Sequence, residues 1–140
     1  MASQYEIEEI ITEITKNVDP LIKHNDTVSQ IKGIFRRYGF YTTREYPIYR
    51  IKDRSGRAGR IDLVARKGKF RVAIEYDHKY HVKYKSFQKI IQIKPDAAVG
   101  IVGKGELNSN IERAMPYMKG IQIPLYIISL KERRYKLLKG

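Results

Sequence analysis

The chain has no cysteine and no tryptophan, few acidic residues beside its basic ones, and no long apolar run. Without cysteine there can be no disulfide framework, no thiolate metal site and no thiol nucleophile. No apolar stretch approaches the ~20 residues that a membrane-spanning helix needs. The first residues, Met1-Ala2-Ser3-Gln4-Tyr5-Glu6, lack the basic-then-apolar layout of a secretory signal. An intracellular, cytoplasmic protein without a membrane partner is therefore the expectation. The shortage of acid is the most informative: 15 Asp and Glu stand against 28 Lys and Arg, a net charge of +13. Such an excess in 140 residues favours a polyanionic partner, most commonly nucleic acid. A generally charged surface is the alternative, and a Lys- and Ile-rich composition without Cys or Trp also suits a thermophile. The 42% hydrophobic content is enough for one domain with a real core, spanning 1–140.

Ser3 and Glu6 have capping-box spacing, and Ile7, Ile10, Ile11, Ile14 and Val18 recur at helical intervals, which predicts a helix over 3–18. Its other face carries Glu6, Glu8, Glu9 and Glu13, either a solvated surface or the source of one more metal ligand. Asp19-Pro20 closes it. The core is expected over 26–130. Asn25-Asp26-Thr27 offers a cap for a second helix through Val28, Ile31, Ile34, Phe35 and Tyr38, with Gly39 at its end. Phe40 to Ile51 reads as a strand holding Glu45, and Pro47 makes it an edge or an interrupted strand. Arg54-Ser55-Gly56-Arg57-Ala58-Gly59-Arg60 is a small, basic loop able to approach a phosphate backbone, or an ordinary hairpin tip.

Further on, Ser86 could cap a helix carrying Phe87, Ile90 and Ile91; Ala97 to Val102 is a buried strand; Asn108-Ser109-Asn110 caps a helix that Pro116 must kink or divide. Leu125 to Leu130 is the last clear strand. Residues 131–140 form a basic end, a tail or one more strand. The order α-α-β-β-β-α-β-α-β predicts an α/β (α+β) fold, a mixed sheet with helices on both faces.

The chemistry concentrates between Arg60 and His81. Two apolar runs are joined by Arg66-Lys67-Gly68-Lys69, a hairpin link. Alternation in the second run puts Phe70, Val72, Ile74 and Tyr76 on one face and Ala73, Glu75 and Asp77 on the other. Asp62 sits in the neighbouring strand between Ile61 and Leu63. Carboxylates in strands so apolar are costly to desolvate unless cations pair with them. Three that converge form a natural site for a hard divalent ion.

Asp62, followed by Ile74-Glu75-Tyr76-Asp77-His78-Lys79-Tyr80-His81, resembles the PD-(D/E)XK nuclease superfamily, in particular the E-x-D-G-x-x-H segment of very-short-patch-repair-like endonucleases. Arg44-Glu45-Tyr46-Pro47-Ile48 resembles the first strand of such domains, and the similarity covers about Val28 to His81. Asp77 stands where the wider superfamily has Lys, and Gln30 where many members carry a Glu ligand. The resemblance implies a restriction-endonuclease-like sheet and a homodimer. It also implies Mg²⁺ or Mn²⁺ on Asp62, Glu75 and the Tyr76 carbonyl, with Gln30 a weak further ligand. Asp77 would orient water or hold a second ion, His81 would act as acid or base, and Lys79 would supply the missing motif charge. Arg54, Arg57, Arg60, Lys83 and Lys85 are the expected nucleic-acid contacts. The expected function is a metal-dependent endonuclease acting on DNA, including structured or mismatched DNA. The alternatives are a DNA-binding protein that has lost catalysis on the same scaffold, and an RNA-binding protein.

Overall fold

The computed structural model describes residues 4–52, 56, 58–120 and 122–139; Ser3, Arg54 and Arg57 lie outside them. Four helices, α1 (Gln4–Asn17), α2 (His24–Arg37), α3 (Tyr84–Ile93) and α4 (Leu107–Met118), flank a sheet. Its strands are β1 (Tyr41–Lys52), β2 (Ala58–Lys67), β3 (Phe70–Asp77), β4 (Ala97–Val102), β5 (Leu125–Ser129) and β6 (Arg134–Leu138). The strands lie in chain order from β1 to β6. The first three form an antiparallel meander, β3, β4 and β5 are parallel, and β6 turns back antiparallel. The fold is thus mixed α/β, as the element order predicted.

The two parallel connections run through α3 and α4. Both crossovers step the same way along the sheet, so right-handedness puts both helices on one face. There Phe87, Ile90, Ala114 and Met118 pack on Val64, Ala98 and Ile127. On the other face α1 and α2 bring Ile10, Ile14, Ile31 and Phe35 onto Leu63, Ile74, Ile101 and Tyr126. Burial on both sides explains why Ala97 to Val102 reads as an unbroken apolar run. No described helix is long and apolar enough to cross a membrane.

Several local expectations held. Ile7, Ile10, Ile11, Ile14 and Val18 are all buried. The strand with Pro47 is an edge, and its pairing slips between Ile48 and Lys52. Of the two readings of the basic end, the strand is the one seen: β6 closes the sheet beside β5. Other expectations need correction. Pro116 falls in the last turn of α4 and does not divide it. The expected side-chain caps of α2, α3 and α4 do not form: these helices begin after Lys23, Lys83 and Glu106, without a side-chain cap bond. Two of the polar residues at those positions, Thr27 and Asn110, are bonded elsewhere. Thr27 Oγ1 accepts the Leu21 N–H at 2.8 Å, and Asn110 reaches the 80–82 loop.

Candidate active site

The site lies where β2 and β3 part. Their pairing runs from Lys67↔Phe70 to Leu63↔Ile74 and stops. Beyond it β3 continues against β4 to Asp77, so the N–H groups of Asp62 and Tyr76 lose their cross-strand partners. The two carboxylates replace the missing ladder. Glu75 Oε2 accepts the Asp62 N–H at 3.0 Å, and Asp62 Oδ2 accepts the Tyr76 N–H at 2.7 Å. Buried backbone donors need acceptors, and these side chains provide them.

Two cations enter the notch from opposite layers. Lys89, from α3, places Nζ 3.1 Å from Glu75 Oε1 and donates to the Arg60 carbonyl at 2.7 Å. His24, the first residue of α2, directs Nε2 at the Tyr76 carbonyl (2.9 Å) with Asp62 Oδ2 at 3.4 Å. Since a carbonyl only accepts, Nε2 carries its hydrogen. The hydrogen bond to Asp62 raises the His24 pKa to about 9, against the effect of partial burial. Burial would push Asp62 up, but hydrogen bonds from His24, Glu75 and the Tyr76 N–H hold its carboxyl below the usual range. Glu75, only 2% exposed, is pushed up to about 8, first by burial and then by the charge on Asp62; Lys89 opposes both and is outweighed. Of the two carboxyls in the notch, Asp62 is thus held towards its ionised form and Glu75 towards its protonated form, with His24 and Lys89 as their cationic neighbours.

The predicted residues separate into groups. Asp62, Glu75 and the Tyr76 carbonyl come together as expected. Asp77 follows them on β3, but its Oδ2 accepts the Lys83 N–H at 3.1 Å and ties down the loop that leads into α3; burial raises its pKa. Lys79 and His81 are exposed residues of that loop, beyond the strand. The cation that reaches Glu75 is Lys89 and not Lys79. Gln30 is engaged elsewhere: its side chain accepts the Asp19 N–H at 3.1 Å and donates to the Asp19 carbonyl at 2.8 Å. The acidic face of α1 is also turned to other partners, Glu6 to Lys67 and Glu13 to Arg37. Arg60 lies 3.6 Å from Glu45, which sits at φ +51° in β1. Lys83 is exposed with Nζ 3.8 Å from Asp77, and Lys85 is half-buried at the start of α3.

No protein-family model, curated protein or solved structure matches this chain.

Whether the notch suits a divalent ion can be judged from its donors. Asp62 Oδ2 and the Tyr76 oxygen converge on one point, now taken by a cationic N–H donor. Glu75 adds a carboxyl bonded to Asp62, so the set is made of hard oxygens, the kind that Mg²⁺ and Mn²⁺ take. Among the described residues no three His, Cys, Asp or Glu side chains already surround a common metal position. The donors fit the ion once His24 turns aside and Glu75 gives up its proton.

Proposed function

We propose that this protein is a metal-dependent endonuclease that hydrolyses phosphodiester bonds in DNA. The observation that carries the reading is the convergence of Asp62, Glu75 and the Tyr76 carbonyl at the split between β2 and β3, with the Lys89 ammonium beside them. Asp62, Glu75 and the Tyr76 carbonyl would hold Mg²⁺ or Mn²⁺, which when bound polarises a phosphate and lowers the pKa of water. Lys89 keeps a fixed positive charge within reach of Glu75, where it can orient an attacking water or stabilise charge on a phosphoryl oxygen. Asp77 holds the loop that carries Lys79 and Lys83 beside the notch. The net charge of +13 supplies the attraction to the phosphate backbone. One notch per chain cuts one strand, so cleavage of both strands pairs two copies as a homodimer.

A second reading, a DNA-binding protein without catalysis, is favoured by one observation. His24 and Lys89 of the chain itself contact Asp62 and Glu75, the two carboxyls that an ion would need. Duplex, branched and single-stranded DNA and matching RNA, each incubated with Mg²⁺, Mn²⁺ or EDTA, separate the readings. Metal-dependent DNA cleavage that disappears in Glu75→Gln and Lys89→Met supports the nuclease. Tight DNA binding without cleavage under either metal rejects it in favour of the binder. A preference for RNA over DNA rejects both.

A further inference from the structure

Beside the notch, at the carboxyl ends of β3 and β4, a cavity of about 380 Å³ is lined by Pro20, Tyr80, Gly103, Lys104 and Lys131. Its volume lies in the range of small-ligand sites. The cavity wall lies against the end of β3, the strand that carries Glu75 and Tyr76. Gly103 donates its N–H to the Asp77 carbonyl at 2.8 Å, and a Cβ at Gly103 would lie 2.7 Å from the Tyr76 hydroxyl. Pro20 lies four residues before His24, in the connection between α1 and α2.

The cavity combines a fixed backbone with an exposed aromatic ring. Asn110, fully buried in α4, donates to the Tyr80 carbonyl at 3.0 Å and accepts the Val82 N–H at 2.8 Å. Gly105 lets the chain pass so close that a Cβ there would stand 1.9 Å from the Tyr80 oxygen. Yet the Tyr80 residue is 60% exposed. Around it, Lys79, Lys104 and Lys131 make no ion pair or side-chain hydrogen bond with a described residue, and the Lys104 N–H is tied to the Lys79 carbonyl at 2.9 Å. An exposed ring on a fixed backbone, with uncommitted ammonium groups around it, matches a nucleobase with flanking phosphates.

We propose that this cavity receives an unpaired base, stacked on Tyr80, from a DNA strand whose phosphates are held by Lys79, Lys104 and Lys131. The protein would then select DNA carrying a bulged or unpaired nucleotide next to the bond presented to the notch. The proposal rests on the DNA reading above. A fully paired base cannot enter, because its faces are already covered by its neighbours in the stack.

The test compares a perfect duplex with the same duplex carrying one bulged 2-aminopurine, in EDTA, by fluorescence anisotropy. The wild-type protein is expected to bind the bulged duplex roughly tenfold more tightly, the size of one base–aromatic stack, with quenched 2-aminopurine emission. Tyr80→Ala should abolish both the preference and the quenching and leave perfect-duplex affinity unchanged; Tyr80→Phe should keep both. The ring is exposed, so its removal leaves the core intact. Equal wild-type binding of the two duplexes, or a preference that survives Tyr80→Ala, overturns this proposal and leaves the nuclease reading standing. Failure to bind any DNA at low salt overturns both.

Discussion

The protonation of Glu75 gives the sharpest test of the site's electrostatics, and Glu75→Gln is the perturbation. An acid whose pKa is raised by folding keeps a proton that the unfolded chain releases. Its contribution to stability is whole below the ordinary value of 4.5 and is lost as pH rises through the folded value of about 8. At about 1.4 kcal/mol for each tenfold, that displacement sets a ceiling of about 5 kcal/mol. A glutamine cannot ionise, and its amide oxygen can still accept the Asp62 N–H. In metal-free buffer, denaturant unfolding should therefore give the two proteins similar stability at pH 5. At pH 9 the Glu75→Gln variant should be the more stable by about 2–5 kcal/mol. His24 has a raised pKa as well, so its contribution also fades as pH climbs through about 9, but it does so in both proteins and cancels in the difference. Parallel stability curves from pH 5 to 9 would refute the reasoning. They would mean that Glu75 is ionised in the folded protein and that Lys89, not a proton, balances it.

Other outcomes follow from the same contacts. Lys89→Met should lower cleavage by ~100-fold or more while DNA affinity stays within a factor of about two; similar losses in both would show Lys89 to be a binding residue. His24→Ala clears the point on which Asp62 Oδ2 and the Tyr76 carbonyl converge, so Mn²⁺ should bind more tightly by calorimetry. Weaker binding would make His24 a ligand. Asn110→Ala leaves the Val82 N–H without its acceptor and should cost about 2 kcal/mol in urea unfolding; a change below ~0.5 kcal/mol would mean that water takes over the bond.

Much of this architecture could be read from residue spacing. The buried stripe of α1, the edge position forced by Pro47 and the pairing of Asp62 with Glu75 all follow from periodicities within single elements or one hairpin. The misses share a different cause. Lys89 meets Glu75 only because α3, after a loop fixed by Asp77, docks on the sheet in one particular register. Nothing near Lys89 in the chain distinguishes it from Lys79 or Lys85. His24 looks like a loop residue before Asn25-Asp26-Thr27, because the expected cap placed the helix start too late. Two of the caps failed for the same reason: Thr27 and Asn110 are polar residues in buried settings, and tertiary backbone groups claim their hydrogen bonds. Gln30 has the helix position of a ligand in the resemblance, but the turn at Asp19 takes its amide.

The split between β2 and β3 has a consequence for how activity is traced in such a protein. Asp62 and Glu75 act as rungs of the sheet as well as candidate ligands, since each accepts the backbone N–H exposed by the parting of the strands. Alanine at either position would leave a buried donor bare, so lost cleavage in an alanine variant would not distinguish broken chemistry from a loosened sheet. Asparagine or glutamine keeps an acceptor and separates the two. The same coupling acts on lineages. A descendant that had stopped cutting would still be held to acceptor side chains at these two positions, and a retained acidic pair would record the architecture before it recorded the reaction.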